Sequence, residues 1–347
     1  MTDVKQRSQV IDRVRGVALL LVILGHTMTG STTQAQSTIV FRVIWSLQMP
    51  LFFLISGYVT RFGSSANNVS ALLRQIVRRT IQLLLPFAVW TFLVRGILFG
   101  QTAFLRVDWL AHHMDSGYWF LFSLWVISIG FYFSAYLSEK NVFQHRIAWR
   151  AVFFGLFVTV LALIAHLCGG DFLGGKLTMY YALFFLIGAF VGAVRGKVTL
   201  FRKTIYLCVL VCLVVWLIMV FCFDFYSTAD DLPHIFLRAM CSLFGCIGVF
   251  GIAAVLERWK GLPLLRKVLC WIGTHTLELY LVHYLCLNLI CILPPPMCES
   301  MCGISLVALN FSLTLLMSAL VTALLIRIPV VRLALYGKLE KRNNNYG

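Results

Sequence analysis

Ten predominantly apolar stretches, most of them long enough to cross a bilayer, constrain this 347-residue chain more than any other feature. They fall at roughly 14–31, 39–60, 79–100, 118–138, 149–168, 178–194, 204–223, 235–256, 270–293 and 304–327. A segment inside hydrocarbon must satisfy its backbone polar groups internally. The spacing therefore predicts an all-α, polytopic integral membrane helix bundle of about ten transmembrane helices. Charged residues are 12% of the chain, against about 25% in soluble domains, which supports the same class.

Lys and Arg outnumber Asp and Glu by 29 to 13. In a soluble chain that excess would suggest nucleic acid; here the loops account for it. With the amino terminus inside, 24 of the 29 basic residues fall in cytoplasmic pieces, and only Arg42, Arg95, Arg106, Lys176 and Arg238 lie on the other side. That alternation predicts an N-in/C-in, multi-pass protein of the cell (inner/plasma) membrane. Its surroundings are membrane lipid, and no nucleic acid partner is expected. The first apolar run lacks a convincing small-residue cleavage site, so it reads as a span and not as a signal peptide. No long soluble segment remains, and residues 1–347 read as a single transmembrane domain with no fused soluble domain.

Eleven cysteines are scattered, mostly inside apolar runs, where they serve as small apolar residues. There is no C-x-x-C pair, so no metal site is expected. Cys298 and Cys302 lie in a predicted outer loop, where an oxidising compartment could pair them.

Polar residues within the spans carry the functional signal, because the bilayer tolerates them at a cost. In "IDRVRGVALLLVILGH" Arg15 precedes His26 by eleven residues. On a helix these lie about 20° apart in azimuth and about 16 Å apart along the axis, so one polar face joins them. In "LLRQIVRRTIQLLLPF" Arg74 and Arg78 share a face and Arg79 adds a third charge. Such a cluster either anchors a loop or binds an anion through guanidinium forks. "QMPLFFLISGYVTRFG" interrupts its apolar run with Ser56, Gly57 and Tyr58; Gly57 suits close helix packing and Tyr58 suits an interface. "WIGTHTLELYLVHYL" places His275 near the cytoplasmic interface, Glu278 one turn deeper and His283 about 12 Å beyond His275. A carboxylate at that depth needs a cation or a proton. His112, His113, Tyr118 and Trp119 stand at the start of the fourth span, where aromatics commonly form the interfacial belt.

These motifs, in this order, resemble the acyltransferase 3 family of integral membrane O-acyltransferases. Ile11, Asp12, Arg15, Gly16, Ala18 and His26 match its I-D-x-x-R-G-x-A opening and the histidine ten intervening residues later. Phe52, Phe53, Ser56, Gly57 and Tyr58 match its F-F-x-x-S-G-Y signature. Arg74, Arg78, Arg79 and Pro86 match its basic cluster and proline. Trp119, Phe120 and Leu121 match its W-F-L element, and Tyr280, Leu281, Val282 and His283 its Y-L-x-H element. One departure stands out: the family's R-x-x-R is here Arg74-x-x-x-Arg78-Arg79, which leaves open which two arginines correspond.

The resemblance implies acyl transfer, usually of acetyl, from cytoplasmic acetyl-CoA as cosubstrate. The acceptor it implies is a hydroxyl of a cell-envelope carbohydrate or another extracytoplasmic molecule. Arg15, Arg74, Arg78 and Arg79 would bind the polyanionic donor, whose pantetheine arm is on the order of the rise from Arg15 to His26. His26 would act as general base or as acyl carrier, with His283 second to it. Ser56, Tyr58, Trp119 and Glu278 are the candidates for substrate contact. Two other classes fit the same polar residues: a transporter or flippase of an envelope intermediate, and a membrane sensor of an anionic ligand.

Overall fold

The computed structural model describes residues 8–60, 66–139, 145–169, 172–194, 202–224, 231–258 and 261–338. Every regular element among them is helical. The principal helices are α1 (Gln9–Ser31), α2 (Ile39–Thr60), α3 (Val69–Ala88), α4 (Val107–His112), α5 (Trp119–Ser138), α6 (Arg146–Leu167), α7 (Gly175–Val194), α8 (Arg202–Cys222), α9 (Leu232–Arg258), α10 (Pro263–Thr274), α11 (Thr276–Val282), α12 (Met301–Leu325) and α13 (Pro329–Tyr336). Eight helices among the described residues are long and apolar enough to cross a membrane. The chain is a multi-pass membrane protein.

Two of the ten expected spans are not among those eight. One is α1, a continuous helix that carries Asp12, Arg13, Arg15 and His26 and buries twelve of its residues in protein. The other corrects the sequence reading. Residues 270–293 do not form one helix: α10 ends at Thr274, His275 breaks the run, α11 ends at Val282, and a 3₁₀ turn covers His283–Leu285 before the backbone becomes irregular. The apolar composition suits a span, but side chains from α12 stabilise the unwound form, as shown below. The basic cluster also differs from expectation, because α3 starts at Val69, ten residues earlier than read from the sequence. Asn68 caps it by accepting from Ala71 N at 2.8 Å. Arg74 and Arg78 therefore lie on the helix and not before it, and Arg79 lies in its middle instead of at its start. The helix continues as a π-helix over Val89–Leu98.

The contacts fall into two compact units, Met1–Ile55 with Val194–Thr322, and Ser56–Ala193 with Ala323–Gly347. In the first, α1 and α10 touch backbone to backbone. A Cβ on Gly16 would meet the Leu269 carbonyl, and one on Gly273 the Asp12 carbonyl. Gly16, a member of the opening motif, thus has a packing reason to be glycine. Helix α9 turns Gly245, Gly248 and Gly251 toward Trp216, Leu213 and Val209 of α8. The Trp216 indole donates to Ser46 Oγ of α2 at 3.1 Å. Beyond α1, Thr33 bridges to the segment before α12: its N–H donates to Pro296 O at 2.9 Å and its carbonyl accepts from Cys298 N at 3.1 Å. Cys298 is buried, Cys302 is exposed, and both are free thiols.

In the second unit α3 packs on α5. The Trp125 indole donates to Thr80 Oγ1 at 2.9 Å, and Ser123 and Thr178 join α5 to α7 at 2.9 Å. Gly57 lies against the Phe185 backbone so closely that a Cβ would meet the carbonyl, as expected for a packing glycine. Glu139 at the end of α5 pairs with Arg146 at 2.5 Å and Arg150 at 3.2 Å, which fixes the start of α6.

Candidate active site

Within the first unit, the broken segment between α10 and α12 brings three rings together. The His26 and His283 centroids are 5.5 Å apart, His26 and Tyr284 4.9 Å, and His283 and Tyr284 4.3 Å. His26 Nε2 and the Tyr284 hydroxyl form a hydrogen bond of 3.0 Å. His283 is fully buried and its Nδ1 bonds the Tyr280 carbonyl. A carbonyl has no proton to give, so Nδ1 carries the hydrogen. In the neutral ring Nε2 is then a bare acceptor. That atom is buried and meets no hydrogen-bond partner among the described residues.

The broken segment that carries His283 and Tyr284 is held in place by specific backbone partners. The α-helix stops at Val282 and tightens into a 3₁₀ turn. Carbonyls and amides released by the break would be costly in an apolar interior. Helix α12 supplies their partners. Thr314 Oγ1 donates to Cys286 O at 2.8 Å, and the Asn310 amide brackets Ile290, donating to its carbonyl at 2.8 Å and accepting from its N–H at 3.0 Å. Asn310 also donates to Ser31 Oγ at 3.0 Å, and Ser31 donates to Asn288 Oδ1 at 2.7 Å. The end of α1, the unwound segment and α12 are thereby locked in register. Asn310 and Thr314 have no exposed surface.

Arg15 stands on the same continuous helix as His26, and Ala18, Leu19 and Val22 lie buried between them. Its guanidinium lies 3.8 Å from Asp12 one turn earlier. Glu278 is buried on α11 with 1% exposure.

The other candidates lie in the second unit. Arg74 and Arg78 are exposed on α3, and Arg79 is half-buried. Arg79 Nε donates to Ser128 Oγ at 3.1 Å, while that hydroxyl donates to Leu124 O at 2.6 Å. The bond through Nε fixes the plane of the guanidinium, which simple loop anchoring does not require. Ser56 gives its carbonyl to Thr60 Oγ1 at 2.7 Å, and Tyr58 follows two residues later on α2. Trp119 packs on Tyr181 with centroids 5.3 Å apart. The structure thus joins His26 to His283 and adds Tyr284, a residue that sequence reasoning passed over. Its signal was its place directly after Y-L-x-H.

The family described as an acyltransferase domain matches residues 9–327, a range that holds every candidate above. The chain belongs to the acyltransferase 3 family. Among curated proteins it is similar to nodulation protein NolL of Sinorhizobium fredii (strain NBRC 101917 / NGR234), with 26% identity over 151 residues, 39% of this chain and 38% of that protein. It is also similar to nodulation protein NolL of Mesorhizobium japonicum (strain LMG 29417 / CECT 9101 / MAFF 303099), with 25% identity over 222 residues, 49% of this chain and 57% of that protein. The matched region thus spans well under two thirds of either relative's length. No solved structure matches the chain. Membership gives the histidine pair a chemical context, since acyl transfer to a hydroxyl needs a base beside the acyl carbon.

Proposed function

We propose that this acyltransferase is a membrane O-acetyltransferase that moves an acetyl group from cytoplasmic acetyl-CoA to a hydroxyl of a cell-envelope carbohydrate or similar extracytoplasmic acceptor. The observation that carries the reading is the convergence of His26, His283 and Tyr284 from segments more than 250 residues apart.

In this reading His26 takes the proton of the acceptor hydroxyl as general base, or holds the acetyl group briefly as a nucleophile. His283 presents its bare Nε2 beside it. Arg15 contacts a phosphate of the donor, and the thioester extends along the polar face of α1 toward His26. Arg74, Arg78 and Arg79 are further phosphate ligands on the strength of their guanidinium chemistry. Ser56, Tyr58, Trp119 and Glu278 contact substrate. The eight long helices, with α1 and the broken segment as two further crossings, give the ten-span, N-in/C-in arrangement that the basic loops favour. The membrane is the cell (inner/plasma) membrane.

The test uses purified full-length protein in lipid nanodiscs with acetyl-CoA and an extract of envelope glycans. Free CoA should appear, and acetyl ester should accumulate on a carbohydrate fraction in equal amount. Movement of an envelope intermediate across sealed vesicles without any CoA release would favour the transporter reading instead.

A further inference from the structure

We infer that Tyr284 is a catalytic residue that passes the acceptor's proton to His26. The inference rests on the reading of His26 as the base and extends it by one group. In the structure the base nitrogen of His26 does not face open space: Tyr284 Oη lies 3.0 Å from Nε2. A phenol hydroxyl can donate one hydrogen and accept on its lone pairs at the same time. Tyr284 as a residue is half-buried. An acceptor hydroxyl can therefore donate to Tyr284 Oη while Tyr284 donates to His26 Nε2.

The position of the phenol is specified by more than one contact. Its ring packs against both imidazoles, 4.9 Å from His26 and 4.3 Å from His283. Its backbone belongs to the 3₁₀ turn His283–Leu285, and the next residue, Cys286, is held by Thr314. Buried polar residues of α12 hold the broken segment that carries both residues against α1. His283 is meanwhile fixed in its Nδ1–H form by the Tyr280 carbonyl, so it has no ε proton to offer the phenol. The imidazole nitrogen that the phenol hydroxyl meets is His26 Nε2, whereas His283 Nε2 makes no hydrogen bond among the described residues.

The step balances. The acceptor oxygen loses its proton to Tyr284 Oη as the Tyr284 proton moves to His26 Nε2. The oxygen forms a bond to the acyl carbon, and the C–S bond breaks with its electron pair on sulfur. The proton gathered on His26 returns to the thiolate, so a hydroxyl and a thioester become an ester and a thiol. No oxidant, reductant or metal enters.

Tyr284→Phe keeps the ring contacts and removes only the hydroxyl. In the full-length protein in nanodiscs, turnover should fall by at least about a hundredfold, the lower end of what a proton-transfer group supplies. The KM for acetyl-CoA and the thermal midpoint should not move. Replacing Tyr284 with 3-fluorotyrosine, a more acidic phenol of nearly the same shape, should retain turnover but change its rate and its pH profile. A packing role would leave both as in the wild type. Wild-type turnover by Tyr284→Phe alongside an inactive His26→Asn variant would overturn this inference alone. Wild-type turnover by His26→Asn would overturn it together with the reading it extends.

Discussion

Tyr284 Oη and His26 Nε2 lie 3.0 Å apart although the two residues are 258 positions apart in the chain. The contact is made by the two segments that fall outside the eight long apolar helices. Helix α1 carries buried ionic groups, and its partner segment is unwound.

The unwinding depends on Asn310. Asn310→Leu would leave the Ile290 amide and carbonyl and the Ser31 hydroxyl without this partner. Each unpaired buried group costs about 1–3 kcal/mol. The variant should show a lower thermal midpoint by intrinsic fluorescence in detergent, and reduced turnover because α1 and the broken segment lose register. A midpoint and turnover equal to the wild type would show that the clamp is not needed.

The α1–α10 contact should be equally intolerant. Gly16→Ala and Gly273→Ala each place a methyl group against backbone that cannot rotate away. Overpacking of this kind costs about 1–3 kcal/mol. Gly155→Ala on α6, where a Cβ meets nothing within 4 Å, is the control and should be neutral or slightly stabilising. Three indistinguishable melting curves would mean that the helices can separate freely.

The arginines should act on the donor. Arg79→Ala removes the guanidinium that Ser128 orients, and Arg15→Ala removes the charge at the mouth of the α1 polar face. Loss of a charge-assisted contact costs about 1.5–3 kcal/mol, roughly ten- to a hundredfold in affinity. Lysine at position 15 should not restore binding fully, because a point charge cannot reproduce a fork. Calorimetric titration of acetyl-CoA checks this, and unchanged affinity across the set would return these residues to membrane anchoring.

Topology can be read by an impermeant thiol reagent on intact cells, in a background lacking reactive native cysteines. Thr102→Cys should label from outside and Leu264→Cys only after permeabilisation. The predicted inner loop 195–203 lies largely outside the described residues, so Leu264 serves as the inner marker. Labelling of Leu264→Cys on sealed cells would reverse the orientation proposed for the donor.

Much of this was legible in the sequence for a physical reason. Apolar length and the sign of loop charge act through composition, so the long helices could be read directly. The 11-residue interval from Arg15 to His26 acts through a fixed helical pitch, so their shared face could be read as well. The break at His283 could not. Residues 270–293 look apolar enough to span, and what unwinds them is the side chains of Asn310 and Thr314, a tertiary effect from another helix. Tyr284 was missed because its contact with His26 is set by the tertiary placement of the broken segment against α1. The origin of α3 at Val69 was hidden because three arginines look like loop anchoring, whereas Ser128 on α5 holds one of them in place.

The central claim, that His26 is the base in acetyl transfer, is tested most directly by one rate. Release of free CoA is followed at saturating acetyl-CoA and acceptor for the wild type and for His26→Asn, with acetyl-CoA affinity measured on the same samples. Asparagine keeps polarity but has no basic nitrogen. The account predicts unchanged affinity and turnover lowered by about 10²–10⁴-fold, roughly 3–5 kcal/mol. Near wild-type turnover by His26→Asn would contradict it and make His26 a packing residue.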